Sequence, residues 1–72
     1  MQNVKSCVNR FGLRLTVGRS VRLPQDLVNR GAPSIVTIKA FDFSSDYAKA
    51  YGAQVSFIDC PYTITIDDCS AI

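Results

Sequence analysis

Arginine is the residue type whose spacing in this chain points most clearly to chemistry. All five arginines lie within the first 30 of the 72 residues. The guanidinium group is planar and permanently charged, and it binds carboxylate or phosphate through paired hydrogen bonds. Four arginines follow one predicted strand and turn, at positions Arg10, Arg14, Arg19 and Arg22. We predict a binding surface there for protein carboxylates or for a phosphate backbone, and the alternative is a solvated basic face.

Charge is unevenly divided along the chain, although the net charge is only +2. Residues 1–30 contain six basic side chains and one carboxylate, a net of +5. Residues 31–72 contain two lysines and five aspartates, a net of −3. Opposite charges of this kind orient and steer a partner more than they raise affinity. We therefore expect charge to set the direction in which a partner binds.

The residue types on which most catalytic sites depend are scarce. The chain has no histidine and no glutamate, which excludes Ser-His and Cys-His nucleophile pairs and any histidine-ligated metal site. Asp42 with Asp46, and Asp67 with Asp68, could share a divalent cation. A first-turn or capping role for Asp46 and a solvated strand end at residues 67–68 explain the same pairs. We expect no enzyme activity, no cofactor and no metal.

The three cysteines, Cys7, Cys60 and Cys69, do not form a recognisable framework. They are too few for a four-cysteine zinc site, and an odd number argues against a closed set of disulfides. The chain has no long apolar run typical of a signal peptide or a membrane helix. We expect a cytoplasmic, reducing location, no membrane, and cysteines that act as small buried hydrophobic residues. The sequence leaves open whether Cys60 and Cys69 approach each other.

Hydrophobic periodicity predicts the strands that must position these groups. Residues 34–43 are rich in β-branched and aromatic types and predict a central strand with cover on both faces, since neither face is cleanly polar. Residues 10–17 alternate and predict a half-buried strand whose inward side chains include Phe11 and Val17. The alternation resumes at residues 21–23 after a turn. With Phe11 inward, no aromatic ring lies among the arginines, so base stacking is not expected.

Terminal signals predict two short helices. Pro24 favours the first helical position of residues 24–30, with Arg30 in the last turn and Gly31 as the stop. The string VRLPQDLV resembles the strand-to-helix junction of ribbon-helix-helix repressors over about eight residues. That family needs a longer first helix followed by a second one, whereas Gly31-Ala32-Pro33 ends this helix early. We therefore do not assign the chain to it.

The second helix is predicted between an N-cap at residues 44–46 and a stop at Gly52. Tyr47, Ala50 and Tyr51 form an apolar stripe at helical spacing. This stripe predicts either cover for a sheet edge or an exposed aromatic anchor at an interface. Residues 54–58 and 62–67 alternate and predict a hairpin with a three-residue gap, with Val55 and Phe57 inward.

The chain predicts one small domain: an arm at residues 1–9 with Val4, Cys7 and Val8 on one helical face, a sheet with short helices at 10–67, and a tail at 68–72. The fold class is α+β, mainly β, with an antiparallel sheet of about four strands and two short helices. We expect an interaction or assembly subunit that uses strand edges beside residues 10–23 and 54–67. Its small size and lack of catalytic groups suggest a phage-type accessory or structural protein, or an inhibitor. The alternative is a small basic nucleic-acid-binding domain that contacts phosphates through the arginines.

Overall fold

The computed structural model describes residues 5–72. Two antiparallel sheets are present, a two-stranded sheet β1-β2 and a four-stranded sheet in the order β3-β4-β5-β6. This confirms the predicted strand-rich α+β class with two short helices. The elements in chain order are β1 (Ser6–Val8), β2 (Arg14–Thr16), β3 (Ser20–Arg22), α1 (Gln25–Asn29), β4 (Ile35–Asp42), α2 (Asp46–Tyr51), β5 (Gln54–Phe57), β6 (Ile64–Thr65) and a 3₁₀ helix (Ile66–Asp68).

The four-stranded sheet is curled, and the end of the chain closes it against β3. Ser70 forms an antiparallel bridge with Arg22, in which each backbone N–H donates to the other residue's carbonyl at 2.9 and 3.2 Å. The segment predicted as a short tail therefore pairs with the sheet through Ser70. Strand β5 lies between β4 and β6, so it also lacks a free edge. The edges expected beside residues 10–23 and 54–67 are thus partly occupied.

The core lies inside the curled sheet and is made of aliphatic side chains from almost every strand. The largest fully buried side chains are Leu15, Val21, Val36, Ile38 and Val55. Phe57, Cys60 and Cys69 complete the cluster, with Val55 and Phe57 inward as predicted. A buried valine or leucine side chain contributes roughly 1.5–3 kcal/mol relative to exposure. Burial of these residues therefore holds β2, β3, β4 and β5 together.

Strand β4 is central, as predicted, but its mixed pattern has a different cause from the one expected. Val36 and Ile38 are buried while Ile35 and Lys39 are exposed, so the first half has one buried face. The register against β5 then shifts between Ile38 and Ala40, which marks a β-bulge. An extra residue reverses the side-chain parity beyond it. The prediction of cover on both faces is therefore wrong.

The β1–β2 ribbon, residues 6–16, differs most from expectation. Ser6–Val8 forms a strand paired with Arg14–Thr16, rather than part of a helical turn. Residues 9–13 form the connecting turn, so the strand predicted over 10–17 is only three residues long. Met1 to Val4, including the predicted arm residue Val4, lie outside the described residues. The ribbon pairs only with itself in residues 5–72, so its two outer edges have no strand neighbour.

Helix α1 has its predicted stop but begins one residue later than expected. Pro24 is the N-cap, with extended backbone at φ −57° and ψ 147°, and Arg30 is the C-cap rather than a last-turn residue. The Gly31 N–H donates to Val28 O and the Ala32 N–H donates to Leu27 O, each at 3.0 Å. This is the Schellman arrangement, in which Gly31 takes the left-handed conformation, with φ 101°.

The β5–β6 hairpin is present with a shorter second strand and a longer loop than predicted. Gln54 pairs with Thr65, and Val55 pairs with Ile64. The chain then turns into the 3₁₀ helix instead of continuing as a strand to Asp67. Gln54 is buried, and its amide donates to Gly52 O and Thr65 Oγ1, each at 2.9 Å. These bonds satisfy a polar side chain that would otherwise destabilise the interior.

Candidate interaction surfaces

Asn9 builds the tip of the β1–β2 ribbon. Its side chain is buried, and its carbonyl oxygen Oδ1 accepts hydrogen bonds from the Phe11 and Leu13 backbone N–H groups, each at 3.0 Å. The Gly12 N–H closes the turn by donating to Asn9 O at 3.0 Å. Asn9 Nδ2 donates to Ile66 O at 3.3 Å, which joins the tip to the 3₁₀ helix. The spacing of Asn9 and Gly12 is a turn signal that the alternating pattern of residues 10–17 masks.

The turn presents Phe11 to solvent. Phe11 has 70% of its surface exposed and Val17 is exposed as well, so the prediction that both point inward is wrong. The cause is local, since Phe11 lies in the turn, where strand alternation does not apply. The Arg10 guanidinium lies 5.0 Å from the centre of the Phe11 ring, within the range of a cation–π contact. An aromatic ring therefore does lie beside the arginines.

Arg10 is also attached to the body of the protein through Asp67. The Arg10 backbone N–H donates to Asp67 Oδ1 at 3.0 Å, and its Nε lies 3.7 Å from Oδ2. The Arg10 side chain is largely exposed, so the ion pair itself contributes little. The backbone bond fixes the position of the tip. Arg10 therefore binds a carboxylate of its own chain, and it is not a free anion-binding residue.

The remaining arginines are exposed, but they do not form the single row expected from the sequence. Arg14 lies on β2 and Arg22 lies on β3, which belong to different sheets. Each is next to a fully buried residue, so each points away from the core. Arg19 lies in the turn between these strands, and its guanidinium donates to Arg14 O. The Arg19 side chain therefore lies against the backbone of β2, and Arg22 lies on the other sheet.

Helix α2 carries a second exposed surface. The Ser45 hydroxyl accepts a hydrogen bond from the Ala48 N–H at 3.0 Å and so caps the helix, as predicted. Ala48 is the buried residue of α2, and Tyr47 and Tyr51 are 58% and 65% exposed. Their ring centres are 4.6 Å apart, at an interplanar angle of 44°. The alternative in which this stripe covers a sheet edge is therefore wrong, and the pair forms one exposed aromatic surface.

One member of each candidate aspartate pair has a structural partner: Asp67 binds Arg10, and Asp42 binds Ser44. Asp42 Oδ1 accepts hydrogen bonds from the Ser44 N–H at 2.9 Å and the Ser44 hydroxyl at 3.0 Å. These bonds hold the pKa of Asp42 below its ordinary value, so its carboxylate is ionised at neutral pH. Within residues 5–72, no three cysteine or aspartate side chains are grouped to hold a metal ion.

The three cysteines are free thiols in the structure. Cys60 and Cys69 are buried and Cys7 is half-buried, and none of the three forms a disulfide. Burial, followed by the nearby Asp68 carboxylate, raises the pKa of the Cys69 thiol to about 12. A thiol with so high a pKa is a poor nucleophile at neutral pH because almost none of it is thiolate.

An open cleft of about 310 Å³ lies between α1 and the β6 region, and the sequence did not indicate it. Its lining combines apolar side chains with charges of both signs, from Pro24, Asp26, Leu27, Arg30, Ile64 and Asp68. Its volume is at the low end of the range for small-molecule sites. The lining residues come from segments far apart in sequence, so periodicity could not have predicted it.

Comparisons with protein-family models, with curated proteins and with solved structures found no significant match. Among residues 5–72, no helix has the length and apolar character needed to cross a membrane.

Proposed function

We propose that this protein is a small non-catalytic interaction subunit that binds other copies of itself, or a larger protein, through the tip of the β1–β2 ribbon. The supporting observation is the combination of an exposed Phe11 with a rigid turn beneath it. Phe11 N–H is fixed by Asn9, which is itself buried and bonded to Ile66 O. An aromatic anchor that is already ordered loses little entropy on binding. Aromatic and arginine side chains are also the types enriched at interface hot spots.

The outer edge of β1 adds a second means of binding. On the outer edge of β2, Arg19 already donates to Thr16 O and Arg14 O. The outer edge of β1 lacks a strand neighbour within the described residues, and an extended segment of a partner can pair with such an edge. Val8 and Val17 lie on or beside the ribbon, and both are exposed. Arg14 and Arg19 lie close to the same strand and supply the charge that orients a partner carboxylate. A reducing, cytoplasmic location fits three cysteines without a disulfide.

The alternative function is a small nucleic-acid-binding domain, and one observation favours it. The exposed Phe11 beside Arg10 removes the argument that no aromatic ring accompanies the arginines. A ring of this kind can stack on a base while nearby arginines contact the backbone. We place this function second because Arg10 is paired with Asp67 and because Arg14 and Arg22 lie on different sheets. The exposed arginines are therefore divided between two sheets instead of following one strand.

Size-exclusion chromatography with light scattering on the untagged protein, at low and high salt, separates the two functions. The 260 to 280 nm absorbance ratio is sensitive to bound nucleic acid, since the chain has no tryptophan and three tyrosines and so absorbs weakly itself. We expect a discrete oligomer with a protein-like ratio that persists at high salt. Nucleic-acid binding would instead give a high ratio at low salt, and at high salt a monomer with a protein-like ratio. The reason is that phosphate contacts weaken steeply with salt. A monomer with a protein-like ratio in both buffers would contradict self-assembly, and the partner would then be a different protein.

A further inference from the structure

We propose that the tip of the β1–β2 ribbon binds head-to-tail to a second surface on another copy of this chain, the α2 patch. We define the α2 patch as Phe43, Tyr47 and Tyr51 with the carboxylates Asp42 and Asp46. This inference rests on the proposed function and names the partner surface. It makes the interface heterologous, so that each copy uses a donor tip and an acceptor patch.

The α2 patch contains three exposed aromatic side chains. Phe43, Tyr47 and Tyr51 are all exposed, and the two tyrosine rings are in contact at a 4.6 Å separation of their centres. The Ser45 cap fixes the start of the helix, and the Gly52 N–H ends it by donating to Ala48 O at 2.8 Å. The rings are therefore held on an ordered helix, and they offer a platform for an incoming aromatic or guanidinium group.

The acidic side of the patch complements the basic ribbon. Asp42 at the end of β4 and Asp46 at the start of α2 are both exposed, and hydrogen bonds from Ser44 lower the pKa of Asp42. Lys49, in the last turn of α2, is the one basic side chain of that helix. By contrast, residues 5–22 contain five basic residues and no carboxylate. The arginines of one copy can therefore form charge-assisted hydrogen bonds to the aspartates of the next.

The available contacts match residue by residue in kind. Arg14 is exposed, and its side chain forms no ion pair within the described residues, so it is available for a carboxylate. Phe11 is the most exposed large apolar side chain of the described residues, and a tyrosine platform suits it. Within the tip, the Arg10 guanidinium already lies over the Phe11 ring, so cation and ring are presented together.

A heterologous interface has a consequence that a two-fold interface lacks. Each copy has one donor and one acceptor, so copies add on until the rotation closes a ring or leaves an open filament. A variant without the donor tip and a variant without the acceptor patch can then form only one interface with each other. The donor variant Phe11→Ser with Arg14→Ser retains the α2 patch. The acceptor variant Tyr47→Ser with Tyr51→Ser retains the ribbon tip.

The test is light scattering on each variant alone and on an equimolar mixture, with circular dichroism to show that each is folded. Ile58→Ser is the matched control, since Ile58 is 69% exposed and lies outside both surfaces. We expect a wild-type oligomer larger than two copies, the same oligomer for Ile58→Ser, a monomer for each double variant alone, and a one-to-one dimer for the mixture.

Three outcomes would overturn the head-to-tail interface. An acceptor variant that keeps the wild-type mass while the donor variant is monomeric would mean that the tip binds a different surface, and the proposed function would stand. A mixture that remains monomeric although both variants are folded would exclude this pairing of surfaces. A wild-type protein that is monomeric at all concentrations would overturn both the interface and self-assembly.

Discussion

The Asp67 carboxylate accepts a hydrogen bond from the Arg10 backbone N–H at 3.0 Å, across 57 positions of sequence. This contact joins the turn of the β1–β2 ribbon to the 3₁₀ helix near the other end of the chain. Together with the bond from Asn9 to Ile66 O, it fixes the tip that carries Phe11. The position of the proposed interface therefore depends on residues that do not belong to it.

Replacing Asp67 separates the backbone bond from the ion pair. Asp67→Ala removes both, and we expect it to lower the free energy of unfolding by about 1–2 kcal/mol, because the bond involves a charged acceptor. Asp67→Asn keeps an acceptor oxygen and loses only the charge, so its effect should be below about 1 kcal/mol. Urea unfolding measures both values. Equal losses in the two variants would mean that the ion pair, rather than the backbone bond, holds the tip.

Loss of the α2 cap should loosen the helix that carries the aromatic rings. Ser45→Ala removes the oxygen that accepts the Ala48 N–H, and loss of such a cap typically costs about 1 kcal/mol. Ser44→Ala is the matched control, since the Ser44 hydroxyl bonds Asp42 and does not cap a helical N–H. Thermal unfolding followed by circular dichroism measures the difference. A Ser44→Ala variant that is as destabilised as Ser45→Ala would contradict the assigned cap.

The raised pKa of Cys69 predicts a loss of stability in alkali. The thiol has a pKa of about 12 in the folded protein and an ordinary value of 9.0, so the unfolded chain releases its proton first. The contribution of the Cys69 thiol to the free energy of unfolding is therefore fully present below pH 9, and it falls as the pH rises towards 12. Between pH 9 and pH 10 the loss should be about 1 kcal/mol.

Cys69→Ala is the control for this alkaline effect, since lysine and tyrosine side chains also titrate there. We expect the wild type to lose more stability than Cys69→Ala between pH 9 and pH 10, as measured by urea unfolding at each pH. Parallel curves for the two proteins would show that Cys69 ionises as readily in the folded state as in the unfolded one.

Elements with clean local signals could be predicted from the sequence. Val55 and Phe57 alternate with polar neighbours within one strand, and both are buried. Ser45 begins α2 and Gly31 ends α1, as predicted, and each acts only on the adjacent turn of its helix. Such signals depend on a few consecutive residues, so tertiary structure did not change them.

The ribbon and the bulge could not be predicted because each depends on partners distant in sequence. Phe11 fits the strand period of residues 10–17, but Asn9 turns the chain there and uses Ile66 as its partner. The alternation of β4 continues through Lys39 in the sequence. In the structure the register against β5 shifts between Ile38 and Ala40, and the alternation does not reveal this shift. The spacing of Tyr47 and Tyr51 likewise does not specify which face of α2 is buried. In the structure Ala48 is buried, and the two tyrosines therefore point outward.

The most direct test of the central claim, that the ribbon tip is the interface, is the solution mass of Phe11→Ser beside that of Ile58→Ser. Both substitutions remove an apolar side chain of nearly equal exposure, 70% for Phe11 and 69% for Ile58. We expect Ile58→Ser to keep the wild-type oligomeric mass and Phe11→Ser to scatter as a monomer of 7.9 kDa. A Phe11→Ser protein that keeps an oligomeric wild-type mass would contradict the claim, and a wild-type protein that is itself monomeric would contradict self-assembly through the tip.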